Sequence, residues 1–137
     1  MKSILITGAS AGIGRATAEH FLAKGWCVGI LARSIAPLEE IAAGQVGAVV
    51  LHCDVTDASA VVAAFKQFMG KAGRLDVLFN NAGSFGTAAP IDELPLEAWR
   101  AAVDVNLNGM FYAARAAFAE MRAQSPQGGR IINNGSV

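Results

Sequence analysis

The residues able to do chemistry gather in short stretches that each follow an apolar run. The first is Gly8-x-x-x-Gly12-x-Gly14, behind Ile4, Leu5 and Ile6 and ahead of a helical pattern formed by Ile13, Ala16, Thr17, Ala18, Phe21 and Leu22. A buried strand, a tight turn and a helix start, in that order, make an anion site. Glycines let a diphosphate approach the backbone, and the first N–H groups and positive dipole end of the helix face it. The spacing differs from Gly-x-Gly-x-x-Gly, and with no Gly-Lys-Ser/Thr following, a P-loop is excluded. Three later stretches stand in the same position after an apolar run: Asp54-Val55-Thr56-Asp57, Asn80-Asn81-Ala82-Gly83 and Asn133-Asn134-Gly135-Ser136.

The elements that must position these residues alternate regularly. Apolar runs at 26–32, 47–53, 74–79 and 129–134 read as strands two to five. Helical patterns are expected over 13–24, 36–43 (with Pro37 in the first turn), about 57–69 and about 96–123, the last broken near 106–109. Thr56 or Asp57 can cap the third helix. The strands are continuous apolar runs without polar alternation, as in parallel strands buried on both faces. Right-handed crossovers then give one α/β domain, a Rossmann-type doubly wound parallel sheet in the order 3-2-1-4-5.

One helix carries more apolar surface than a single sheet face needs. Met110, Ala113, Ala114, Ala117 and Met121 form one stripe, Phe111, Ala114 and Phe118 a second, and Tyr112 extends them. A subunit interface through the 110–121 helix, and hence a homo-oligomer, is expected.

Composition narrows the function classes. The chain has 137 residues, 53% of them hydrophobic, and 11 basic side chains against 11 acidic ones. That is one domain without the electrostatic footprint of a nucleic-acid or membrane-surface binder. Cys27 and Cys53 lack metal-ligand spacing and read as buried free thiols of a reducing compartment, and no metal site is expected. No apolar run reaches membrane-spanning length, and the start leads directly into the first strand, so a cytoplasmic protein is expected.

Five motifs in this order resemble the short-chain dehydrogenases/reductases: Thr7 to Gly14, Asp54-Val55, Asn80-Asn81-Ala82-Gly83, Val105-Asn106 and the ending Ile131 to Ser136. The resemblance spans the whole chain and implies a nicotinamide-dependent oxidoreductase acting on an alcohol/carbonyl pair. It implies that Gly8, Ser10, Gly12, Ile13 and Gly14 hold the cofactor diphosphate region, that Asp54 and the Val55 backbone take the adenine, and that Asn81, Ala82 and Gly83 let the backbone approach a ribose. At the end of the second strand a carboxylate pairs with a ribose 2′-hydroxyl and an arginine with a 2′-phosphate. Here Ala32 stands where NAD-preferring members usually place an acid, Arg33 follows, and Ser10 can donate to the same phosphate. NADP(H) is therefore expected in preference to NAD, although Ala11 stands where many NADP-preferring members carry a second basic residue.

For catalysis the resemblance implies that Ser136 binds the substrate oxygen and that Asn106 helps hold a water in a proton relay. The family's Tyr-x-x-x-Lys acid/base motif is not found in the 137 residues. Tyr112 precedes the serine and has Ala116, not lysine, four positions on. The expectation is the N-terminal part of a longer enzyme, incomplete before the last strands, with Ile131 and Ile132 on an edge strand. The alternative is a non-catalytic dinucleotide-binding or partner-binding module.

Overall fold

The computed structural model describes residues 1–135. Five strands, β1 (Ser3–Thr7), β2 (Cys27–Ala32), β3 (Ala48–His52), β4 (Val77–Asn80) and β5 (Arg130–Asn133), pair in parallel in the order β3-β2-β1-β4-β5. The expected topology is the observed one. Helices α1 (Gly12–Ala23), α2 (Ile35–Ala42), α3 (Ala58–Ala72), α4 (Leu96–Val103) and α5 (Met110–Ala123) make the crossovers.

Alternating side chains of the strands feed two cores. Ile4, Ile6, Val28 and Ile30 pack with Ala18, Leu22, Leu38 and Ile41 under α1 and α2. Leu5, Leu31, Leu51 and Leu78 pack with Phe65, Phe68, Ala113, Ala117 and Met121 under α3 and α5. All five residues of β1 are buried, which is why its sequence lacks alternation. Each fully buried Leu, Ile or Phe contributes about 1.5–3 kcal/mol relative to exposure, so these two layers hold the sheet edge that carries the site.

Several boundaries differ from expectation for local reasons. The fourth strand starts at Val77 rather than 74, because the Leu75 N–H is taken by Gln124 Oε1 and Arg74 Nε bonds Asp76 Oδ1. Helix α3 is capped by Asp57, whose Oδ1 accepts from Ala60 N, and it runs on to Ala72. The expected break near 106–109 is a widening instead: Asp104–Gly109 forms a π-helical segment that joins α4 to α5 without interruption.

Helix α5 buries Ala113, Ala116, Ala117 and Met121. Ala116 lay outside both expected stripes. Phe111 and Phe118, from the second stripe, are 61% and 62% exposed, and Leu107 one turn earlier is 64% exposed. Strand β5 borders the sheet among the described residues, with Ile131 half-buried and Ile132 exposed, as expected of an edge. No helix among the described residues is long and apolar enough to cross a membrane.

Candidate active site

The strand order switches sides at β1: β2 and β3 are added on one side of it, β4 and β5 on the other. A crevice opens at the C-terminal ends of the strands at such a point, and ligands of open α/β sheets bind there.

The glycine turn is built by close packing. Gly8 has φ +65°, and a Cβ there would lie 2.9 Å from Ala82 Cα. At Gly14, in the first turn of α1, a Cβ would collide with the Gly8 carbonyl and stand 2.8 Å from Asn81 Nδ2. Helix α1 therefore presses against the turn with no side chain between them. Its N-cap position is Ala11, and no side chain caps it among the described residues. The early N–H groups of α1 remain free for an anion, in contrast to α3, which Asp57 satisfies. Ile13 is exposed.

Thr7, at the end of β1, ties the next wall in place. Its buried hydroxyl accepts from both Asn81 N and Ala82 N at 2.9 Å. Asn81 returns the contact through Nδ2 to the carbonyls of Thr7 (3.2 Å) and Gly8 (3.4 Å), and its Oδ1 accepts from Asn134 Nδ2 at 2.8 Å. The exits of β1, β4 and β5 thus form one hydrogen-bonded unit.

Gly8, Ser10, Arg33, Asp54, Val55, Ala82 and Gly83 come together around a cleft of about 160 Å³. Gly12, Ile13, Gly14, Asn81 and Asn106 stand outside its lining. Asp54 Oδ1 accepts from Thr56 N (2.9 Å) and Thr56 Oγ1 (2.8 Å). The Thr56 N–H bond holds this carboxyl below the usual carboxylate value against partial burial, helped by the Thr56 hydroxyl and the charge of Arg33. Oδ2 has no partner among the described residues and can accept from a ligand amino group. Cys53 also lines the cleft, and burial, reinforced by Asp54 and Asp57, pushes its thiol up to about 11. Both cysteines are free.

Asn106 lies in the π-helical segment. Its Nδ2 donates to Ser84 O (2.8 Å) and Ala102 O (3.0 Å), and its Oδ1 accepts from Ser84 N (2.9 Å). One amide hydrogen holds the loop after Gly83 and the other goes to the α4 carbonyl of Ala102, and one Oδ1 lone pair is left. Ser136 lies outside the described residues.

Sequence reasoning passed over Ser34 and His52. Ser34 lines the cleft at the N-cap position of α2, where its hydroxyl caps nothing among the described residues. The signal for it was a serine directly before a helix. His52 is bonded to the Arg33 carbonyl across two strands, a contact without any local signal. Among the described residues no group of three His, Cys, Asp or Glu side chains is placed to hold a metal.

The family profile described as short chain dehydrogenase matches residues 2–137. A 3beta-hydroxysteroid dehydrogenase of Mediterraneibacter gnavus is 38% identical over 99% of this chain and 50% of its own length. A 3-ketoacyl-(acyl-carrier-protein) reductase from Brucella melitensis, solved in complex with NADH, superposes with a TM-score of 0.89 at 29% identity, covering 96% of this chain and 55% of that one. An NAD+-bound xylitol dehydrogenase superposes with a TM-score of 0.91 at 32% identity, covering 98% and 53%. The chain spans about half the length of the relatives it matches.

Proposed function

The chain belongs to the short-chain dehydrogenase family, and on that premise we propose that it forms the NADP(H)-binding half of an oxidoreductase acting on an alcohol/carbonyl pair. The observation that carries the reading is the uncapped start of α1 packed on Gly8, which lines one cleft together with the Arg33–Ser34 turn. The free N–H groups of α1 bind the diphosphate, Asp54 Oδ2 accepts from the adenine amino group, and the backbone of Asn81, Ala82 and Gly83 approaches a ribose. Arg33 supports a 2′-phosphate because Ala32 offers no carboxylate to a 2′-hydroxyl. Ser10, Ser34 and the start of α2 add donors around it.

When bound, the nicotinamide supplies or accepts the hydride. Ser136 hydrogen-bonds the substrate oxygen, steadying charge that develops there. Asn106 fixes the Gly83–Ser84 backbone and offers its remaining Oδ1 lone pair to a water of the proton relay. We infer a cytoplasmic protein, and a homo-oligomer through α5; the exposed Leu107, Phe111 and Phe118 along one helical sequence support the interface.

Titration of the purified protein with NADPH and NADH tests the assignment. Tighter NADPH binding that falls at least tenfold in Arg33→Ala is expected, since a charge-assisted phosphate contact is among the strong ones. Unchanged NADPH affinity in that variant overturns the cofactor reading.

A further inference from the structure

The turn that carries Arg33 is held from outside. The β2–β3 ladder closes with the Cys53 N–H on Ala32 O at 3.1 Å. The next carbonyl, Arg33 O, lies one residue past the ladder, and the His52 Nε2 reaches it at 2.8 Å. A carbonyl only accepts, so Nε2 carries the hydrogen in this contact. Ala32 and His52 are register partners, which places the imidazole beside the turn it bonds. Arg33 and His52 are both exposed, so this bond adds little to the core and acts on the conformation of two residues, Arg33 and Ser34. Those two residues join β2 directly to α2.

We infer that His52 is a positioning residue for cofactor selectivity: it fixes the Arg33–Ser34 turn so that the guanidinium and the start of α2 meet a ribose 2′-phosphate. The inference rests on the NADP(H) reading above. NADH lacks that phosphate, so its binding does not depend on the turn. Loss of one such bond lowers occupancy of the competent turn and weakens NADPH binding by about fivefold. A glutamine supplies an N–H donor of similar reach.

The test is direct titration of NADPH and NADH against the wild type, His52→Ala, His52→Gln and Arg33→Ala. The expected result is an approximately fivefold loss of NADPH affinity in His52→Ala, unchanged NADH affinity, and recovery in His52→Gln. Equal losses for both cofactors, or full NADPH affinity in His52→Ala, overturn the assignment. Loss in Arg33→Ala with none in His52→Ala removes only the part played by His52. Unchanged NADPH affinity in Arg33→Ala removes the 2′-phosphate reading itself.

Discussion

Thr7 Oγ1 accepts from the backbone N–H of Ala82, 75 positions later in the chain, at 2.9 Å, and from that of Asn81 at the same distance. One hydroxyl at the end of the first strand thus sets the wall of the cleft that the fourth strand delivers. A valine here keeps the shape and leaves two N–H groups without an acceptor. Thr7→Val is expected to destabilise the protein by about 2–4 kcal/mol, and Thr7→Ser by much less. Urea unfolding of the two variants checks this, and equal midpoints would count against the role of the hydroxyl.

Gly14 has no room for a methyl group, since a Cβ there strikes the Gly8 carbonyl. Gly14→Ala is expected to cost about 3 kcal/mol through forced displacement of α1 and to abolish dinucleotide binding, because the helix start leaves the turn. Gly12→Ala differs: the surrounding space is open, and only its φ of +55° is strained, giving a cost of about 1 kcal/mol. Thermal unfolding together with cofactor titration separates the two effects.

Cys53 binds its proton more tightly in the folded protein than in the unfolded chain, because burial raises the thiol from 9.0 to about 11. Its contribution to stability is fully present below about pH 9 and is lost as pH rises toward about 11. Chemical denaturation across that range is expected to show a falling limb that shrinks in Cys53→Ser. Cys53 is buried and its thiol stays protonated at neutral pH, so its maleimide labelling should require unfolding. Rapid labelling of the native protein would contradict this account.

Phe111 and Phe118 are seven positions apart on α5, two turns of one helix, and both are exposed. Replacing both with glutamate is expected to leave the secondary structure intact and convert an oligomer to monomer in sedimentation velocity. A wild-type chain that already sediments as a monomer would end the interface proposal.

The sequence alone placed candidate residues after the strands wherever the signal was local. Glycine spacing at 8, 12 and 14, the placement of Asp54 and Asn81 just after apolar runs, and the parallel character of the strands follow from backbone preferences and hydrophobic patterning within short windows, and the strand order from the handedness of the crossovers. The buried face of α5 was only half legible, because Ala116 and Phe118 differ in burial by position around the helix and not by a sharp change of pattern.

Only the tertiary structure decided which side chains meet. His52 on the Arg33 carbonyl, Asn134 on Asn81 and Asn106 on the Ser84 backbone join residues that are 19, 53 and 22 positions apart. Strand register and helix phase set those pairings, and a shift of one residue would send each side chain to another face. The π-helical segment likewise keeps α4 and α5 continuous where composition pointed to a break. Local preference chooses the elements, and long-range packing chooses the partners of their polar side chains.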